Sequence, residues 1–203
     1  MTEPFTRFEA VAVPLEDANV DTGRIFPSRF LRKPRTVGYQ KFLFHDARFD
    51  EKGRERPDFI MNRPPYRDAR ILIAGSNFGC GSSRESAVHA FIDAGFRAII
   101  APKFGDIFYA SCFRNGVLPV VLPFEDVQSL QRQLHDDPGS KICIDLCNQQ
   151  VAGPDGRAFR FEVDAVRKTR LERGLDDVTL ALEAVDQIRK FESRYRLAVP
   201  WTG

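Results

Sequence analysis

The chain has 203 residues, of which 43% are hydrophobic and 29% charged, and its 30 Lys and Arg against 28 Asp and Glu give a formal net charge of +2. This composition is ordinary for a globular protein, and so small a net charge gives no argument for a nucleic-acid partner. The sequence shows neither the roughly 20 apolar residues of a membrane helix nor a secretion signal, so we expect no membrane partner and a cytoplasmic location.

The first third of the chain predicts one strand followed by a long polar connection. Residues 5–13 alternate loosely between apolar and polar side chains and predict an opening strand. Residues 17–30 are rich in turn formers, and residues 32–66 are polar and interrupted by prolines and glycines. We expect a short helix at residues 39–44 and surface loop elsewhere in 32–66. So long a connection is usually functional, which makes it a predicted active-site or recognition loop.

The middle of the chain alternates between strand and helix patterns. Strands are predicted at residues 70–74, 98–101 and 117–122, and helices at residues 83–94 and 104–115. The second helix follows Pro102 and stops before Gly116, which are ordinary boundary residues. The β-α-β-α-β order predicts an α/β fold in which covering helices pack on a parallel sheet.

The last third predicts a helix at residues 125–135 and then a hairpin. Its two strands, residues 142–146 and 158–163, flank the Gly-Pro-Asp-Gly turn at residues 153–156. A helix at residues 165–173 is closed by Gly174, and Asp176 or Asp177 caps a final helix through about residue 195. We expect residues 1–203 to form a single domain that ends in these C-terminal helices, about residues 165–195.

The four cysteines do not form a recognisable metal site. Cys80, Cys112, Cys143 and Cys147 include no Cys-x-x-Cys pair and have no histidine partner nearby in sequence. We therefore expect buried free thiols and no metal bound by this chain.

The most informative segment is residues 75–85, Gly-Ser-Asn-Phe-Gly-Cys-Gly-Ser-Ser-Arg-Glu, between a predicted strand and a predicted helix. Glycines allow a tight turn that brings backbone N–H groups close to a ligand, and a helix N-terminus adds unpaired N–H groups and a positive dipole end. Arg84 can hold a carboxylate through two parallel hydrogen bonds. The segment therefore predicts a cradle for a small anion.

Nucleotide-binding motifs match this segment poorly. A Walker loop ends in Gly-Lys-Ser/Thr, whereas this loop ends in Gly-Ser-Ser-Arg, and the dinucleotide pattern needs a third glycine where Arg84 stands. The remaining alternative is a structural turn whose serines only cap the helix.

The residues from Asn77 to Glu85 resemble the signature of the small subunits of bacterial 3-isopropylmalate dehydratase, the isomerase of leucine biosynthesis and a relative of the last domain of aconitase. The resemblance continues in family order at residues 13–15, 19–22, 25–27, 29–31, 57–59, 96–102, 106–109, 115–120 and 174–176. It implies the swivelling β/β/α fold of the aconitase C-terminal domain.

The resemblance also implies an enzyme, a hydro-lyase that moves a hydroxyl between neighbouring carbons of a 2-hydroxy dicarboxylate. Ser82 matches the catalytic base and Arg84 the arginine that binds a substrate carboxylate. The other expected substrate-binding residues are Ser83, Asp21, Thr22 and Arg24. A large subunit is the implied partner, and the implied [4Fe-4S] cluster is bound by that subunit.

Two positions depart from the family pattern. Gly23 stands where the family has Asp, and Ser86-Ala87-Val88-His89 replaces His-Ala-Pro-Trp. His89 either takes over the space of the missing histidine or is a half-buried structural residue. A hydro-lyase subunit for another 2-hydroxy diacid and a non-catalytic anion-binding module therefore remain alternatives.

Overall fold

The structure is a computed structural model that describes residues 3–82, 84–199 and 201. Within these residues the strands are β1 (Arg7–Leu15), β2 (Ile71–Ala74), β3 (Ala98–Ala101), β4 (Leu118–Val121), β5 (Lys141–Asp145), β6 (Gln150–Ala152) and β7 (Ala158–Arg160). They form one sheet in the order β4-β3-β2-β1-β5-β6-β7. Strands β1 to β4 are mutually parallel where they pair, whereas β1, β5, β6 and β7 pair antiparallel.

The helices of the described residues are α1 (Thr22–Ile25), α2 (His45–Arg48), α3 (Glu85–Asp93), α4 (Asp106–Arg114), α5 (Phe124–Asp136), α6 (Ala165–Arg173), α7 (Asp177–Glu183) and α8 (Val185–Ala198). Short 3₁₀ turns lie at Ser28–Phe30, Arg35–Val37, Tyr39–Lys41, Ile60–Asn62 and Pro64–Tyr66. None of the described helices is long and apolar enough to cross a membrane.

The parallel half of the sheet is buried on both faces. Leu72 and Ala74 of β2 belong to one apolar cluster together with α3 and α4, whereas Ile71 and Ile73 belong to a second cluster together with α5. Successive side chains of a strand point to opposite faces, so an unbroken apolar run suits a strand covered on both sides. This packing fixes the ends of β1 to β4, and with them the loops that follow these strands.

The polar connection at residues 32–66 packs along helix α3. The Asp93 carboxylate, at the end of α3, accepts hydrogen bonds from the Arg35 guanidinium (Nη2–Oδ1, 2.6 Å) and from the Tyr39 backbone N–H (3.0 Å). The rings of Phe44 and Phe91 meet edge to face with centroids 5.9 Å apart. The expected helix at residues 39–44 was wrong, since a 3₁₀ turn occupies Tyr39–Lys41 and helix α2 begins at His45.

Two predictions for the last third also need correction. The strand after β5 is β6, a three-residue strand that the sequence analysis missed, and it is β6 that forms a hairpin with β7 across residues 153–156. The final helix is interrupted at Ala184, which separates α7 from α8. Asp176 does cap α7, because its side chain accepts a hydrogen bond from the Thr179 N–H at 2.8 Å.

The expectation of four buried thiols was wrong for three of them. Cys112 is buried, and this burial raises its pKa. Cys80 and Cys143 are half-buried and Cys147 is exposed, and all four are free. For Cys143 and Cys147 the reason is the alternation along the segment, because Ile142, Ile144 and Leu146 take its buried positions.

Candidate active site

The glycine-rich loop follows β2 and lies at the carboxyl edge of the parallel strands. It pairs on one side with the segment after β3, where the Phe78 N–H donates to the Lys103 carbonyl (3.0 Å) and the Gly105 N–H donates to the Phe78 carbonyl (2.9 Å). The carboxyl edge of parallel strands is the usual place for ligands in open α/β sheets.

On its other side the loop pairs with residues 19–22, which follow β1. The Asn19 N–H donates to Ser76 (2.8 Å), the Gly79 N–H to Val20 (2.8 Å) and the Thr22 N–H to Cys80 (3.1 Å), in each case to the backbone carbonyl. Asn77 Nδ2 also donates to Asn19 Oδ1 at 2.8 Å. These bonds bring the expected site residues Asp21 and Thr22 beside the loop that carries Ser82 and Arg84.

The loop has a backbone shape that needs glycine at position 79. Gly79 has a φ of +70°, and a Cβ atom there would collide with the ring of Phe108 on α4. Asn19 and Asn77, which face each other, also have positive φ angles of 57° and 59°. Residues in this sparsely populated region of backbone angles are strained and persist only where the surrounding structure supports them. Such residues cluster at functional sites.

Arg84 stands at the N-cap of α3, with its backbone extended and its side chain half-buried. Its Nη1 atom is buried and has no hydrogen-bond partner in the described part of the chain. A buried donor left unsatisfied costs roughly 1–3 kcal/mol, and more when the group is charged. A carboxylate that accepts from this guanidinium would remove that cost.

The two serines before Arg84 differ in what the structure describes. Ser82 is exposed, next to the start of α3. Ser83, the expected second substrate contact or cap, lies outside the described residues.

The three residues expected from the 17–30 segment have separate environments. The Asp21 side chain caps α1 by accepting from the Arg24 N–H at 2.8 Å. Thr22 is only 2% exposed, so its side chain is enclosed in this chain. The Arg24 guanidinium forms an ion pair with Asp17, and both groups are about half exposed, at 43% and 49%.

Asn115 is a residue of the loop's surroundings that the sequence analysis did not select. Its Nδ2 donates to Glu85 Oε1 (2.9 Å) and to the Ser111 carbonyl (2.9 Å), and its Oδ1 lies 3.1 Å from His89 Nε2. With the amide in this orientation, His89 carries its proton on Nε2 and donates to Asn115. Through its hydrogen bonds to Glu85 and His89, Asn115 links the first turn of α3, which follows Arg84, to the end of α4. Its position just before Gly116 signalled only a helix end.

No group of three or more His, Cys, Asp or Glu side chains in the described residues could hold a metal ion. The donor set that a cluster needs is therefore not found in the part of the chain that the structure describes.

Comparisons with known proteins identify the family. The family model described as the aconitase C-terminal domain matches residues 2–125, and a second model, described as LeuD_N, matches residues 128–165. The 3-isopropylmalate dehydratase small subunit of Dinoroseobacter shibae is 47% identical over 199 residues, covering 98% of this chain and 99% of the relative. That of Phenylobacterium zucineum is 48% identical, covering 98% of both chains. The chain belongs to the 3-isopropylmalate dehydratase small-subunit family.

A solved structure shows the same fold. The 3-isopropylmalate dehydratase structure (LeuD) from Methanocaldococcus jannaschii superposes with a TM-score of 0.66, covering 91% of this chain and 99% of that one, at 23% identity. The family resemblance and the α/β fold class predicted from the sequence are thus both confirmed.

Proposed function

We propose that this chain is the small subunit of a heteromeric hydro-lyase of leucine biosynthesis, which isomerises 2-isopropylmalate to 3-isopropylmalate by dehydration and rehydration. The support is similarity over nearly the full length to relatives that carry this name. We also propose that the chain works in the cytoplasm, as one swivel-type domain, together with a large subunit.

The single observation of the structure that carries the proposal is the unmatched donor of Arg84. Its Nη1 is buried and has no partner among the described residues, and it lies at the end of a loop shaped by positive-φ residues. A guanidinium matches a carboxylate in geometry and charge, and the proposed substrate has two carboxylates. Arg84 is therefore the proposed carboxylate-binding residue.

Ser82 is the proposed base. Dehydration removes the elements of one water: a proton passes to the base from the carbon beside the one that bears the hydroxyl, the C–O bond to the hydroxyl breaks, and the proton and the hydroxide together make up that water. Rehydration adds both in the opposite sense. That proton is only weakly acidic, so its removal needs an accurately placed base and neutralisation of the developing negative charge. Arg84 and the N–H groups at the start of α3 supply positive potential beside Ser82, which favours its alkoxide form.

Asp21, Thr22, Ser83 and Arg24 remain proposed substrate-binding residues. Among them Arg24 already has an ionic partner, Asp17, so it would have to exchange that carboxylate for one of the substrate. The Asp21 side chain is committed to the cap of α1 and supports the position of Arg24 through its backbone.

The [4Fe-4S] cluster is proposed to be held by the large subunit, since the described residues of this chain offer no ligand set for it. Such a cluster supplies a Lewis acid for the hydroxyl group. This chain's own contribution is to bind a carboxylate through Arg84, to present Ser82 and to fix both by the packing around the loop.

A second candidate is a hydro-lyase subunit for another 2-hydroxy diacid. The observation that favours it is Gly23, where a Cβ would lie 3.0 Å from Asp21 Oδ1, so that the aspartate usual in the family would alter the surroundings of the cap. A changed site can accept a different side group on the substrate.

The test is to co-express the chain with its large subunit, reconstitute the cluster without oxygen and follow unsaturated diacids by the loss of their ultraviolet absorbance. We expect the isopropyl-substituted acid to be hydrated fastest. Preference for a methyl-substituted or longer diacid would replace the proposed substrate by the second candidate. Failure of the chains to associate or to turn over any diacid would leave an anion-binding module.

A further inference from the structure

A second basic cavity lies at the amino edge of the parallel strands. It has a volume of about 360 Å³ and is lined by Lys41, Arg48, Arg67 and Arg70, with Leu43 and Phe96 among its apolar residues. A volume of this size is in the range of small-molecule sites, which combine apolar walls with a few polar groups. We call it the amino-edge cavity.

The amino-edge cavity is separate from the candidate active site. Arg70 immediately precedes β2, whereas the glycine-rich loop follows β2. A strand of four residues spans roughly 13 Å, so the two sites lie at opposite ends of the sheet. A ligand bound by Arg84 therefore does not occupy the amino-edge cavity.

Arg48 is a half-buried cation that forms no ion pair with a carboxylate in the described part of the chain. Its Nε donates to Asn62 Oδ1 at 3.1 Å and its Nη1 reaches the Gln40 carbonyl at 3.5 Å, and both acceptors are neutral. Burial and, to a lesser extent, the positive charge of Arg67 lower its pKa, although Glu55 opposes them. Both effects disfavour its charge, which an anion in the cavity would offset.

The remaining cations of the cavity are only partly balanced. Glu55 is already engaged with Arg67 in a two-pronged ion pair. Arg70 donates to the Ala69 carbonyl at 2.8 Å and forms none of the ion pairs found among the described residues. The Glu55 carboxylate thus acts on Arg67 and Arg48, whereas Arg70 and the exposed Lys41 form no ion pair with it among the described residues.

The absence of a side chain at Gly95 leaves space for the Arg70 side chain. Gly95 has a φ of +85°, and a Cβ there would lie 2.7 Å from Arg70 Nε. A side chain at position 95 would be strained by its backbone and would displace the Arg70 guanidinium. The backbone of the α3–β3 connection is therefore shaped to accommodate a cation at this edge.

We propose that the amino-edge cavity is a second binding site, for a small oxyanion, whose carboxylate or phosphate group is held by Arg48 and Arg70 with Lys41 at the rim. Guanidinium groups bind both kinds of oxyanion through paired hydrogen bonds. The apolar residues beside them leave room for the short hydrocarbon body of a carboxylate. The proposal does not depend on the reaction proposed for the Arg84 site.

The test is calorimetric titration of the purified full chain with inorganic phosphate and, separately, with 4-methylpentanoate, with sodium chloride holding the ionic strength constant. We expect saturable binding of at least one probe, and the tighter one identifies the source of the oxyanion. Arg70→Gln should weaken that binding at least tenfold, and Arg48→Gln should do the same if its circular dichroism matches that of the unmodified chain.

Two control variants make the result decisive. Arg160→Gln removes an exposed arginine on β7 and should leave binding unchanged. Arg84→Gln can remove a separate binding event at the active site, but it should leave unchanged the binding event that Arg70→Gln weakens, which separates this cavity from the active site. No saturable binding by either probe, or binding that survives Arg70→Gln but is lost in Arg84→Gln, would overturn the proposal.

Discussion

Arg84 concentrates the evidence for function at the scale of a single residue. Its backbone ends the loop, its side chain is half-buried, and one of its donors is buried with no partner in the part of the chain that the structure describes. Folded proteins rarely leave a charged donor in that condition, because the loss of hydration is not repaid. The proposed carboxylate contact accounts for this donor, which no contact among the described residues does.

Replacing Arg84 with Lys in the assembled enzyme should lower kcat/KM by roughly 10- to 150-fold. A lysine keeps the positive charge but loses the two-pronged geometry, and a charge-assisted hydrogen bond contributes about 1.5–3 kcal/mol. Steady-state kinetics measures the effect, with Arg160→Lys, an exposed strand residue, as the matched control. A value near that of the unmodified enzyme would show that Arg84 does not meet the substrate.

Replacing Ser82 with Ala should lower kcat by about 10²–10⁴ or more and leave substrate affinity largely unchanged. A base acts in the transition state, whereas Arg84 also binds the ground state. A comparison of kcat with that of Ser83→Ala, measured on complexes with matched cluster content, decides which of the two serines is the base. Ser83 is proposed only as a substrate contact, and one neutral hydrogen bond contributes about 0.5–1.5 kcal/mol, so we expect the Ser83 variant to keep more activity. Exchanged phenotypes would move the base to Ser83.

At the scale of elements, the loop depends on close contact between Gly79 and helix α4. Replacing Gly79 with Ala should destabilise the chain by about 2–5 kcal/mol, because a positive φ costs about 1–2 kcal/mol and overpacking against Phe108 adds about 1–3 kcal/mol. Gly156 is the matched control, since its φ is +81° but nothing lies within 4 Å of a Cβ.

Urea denaturation of the unmodified chain, Gly79→Ala and Gly156→Ala measures the backbone contribution and the overpacking contribution to the loss of stability. We expect Gly156→Ala to lose only the backbone contribution and Gly79→Ala to have the lower midpoint at an unchanged slope. Equal midpoints for the two variants would show that the loop moves away from α4 at little cost. In that case the shape of the loop would not be fixed by this contact.

The elements that the sequence predicted best are those with an unambiguous pattern. The apolar run of β3 has the predicted bounds, and α6 ends at Gly174, whose φ of +62° suits glycine. The strand β6 was missed because three residues are too short for a pattern of alternation. The break between α7 and α8 at Ala184 was missed because no glycine or proline stands there to indicate a helix end.

The candidate site was predictable only as far as its local sequence. Ser82 and Arg84 stand in one glycine-rich loop, so their proximity follows from the chain itself. The contacts of Asn115 with Glu85 and His89 depend on how α3 packs beside α4, and no short-range pattern reports that packing. The half-buried His89 has a structural partner in Asn115, and its place one turn into α3 does not by itself give it a catalytic role.

At the scale of the whole molecule, the proposed site is incomplete in this chain. Ser82 is exposed and the described residues offer no ligand set for a metal. A reacting carbon therefore needs a second surface that excludes water and supplies the remaining contacts. The proposed large subunit is that surface, and its absence should be visible in activity.

The chain purified without its partner should be catalytically silent towards unsaturated diacids, and activity should appear in proportion to added, cluster-loaded large subunit until the two chains are equimolar. Loss of ultraviolet absorbance of the diacid measures turnover, and the same titration with the Ser82→Ala chain is the control. That variant should associate equally well by size-exclusion chromatography, because Ser82 is exposed in this chain and its replacement removes only one oxygen atom, yet it should restore little activity. Robust turnover by the chain alone would contradict the two-subunit proposal. If the unmodified chain associates with the large subunit but the complex has no activity, the proposed assembly stands and the proposed reaction is wrong.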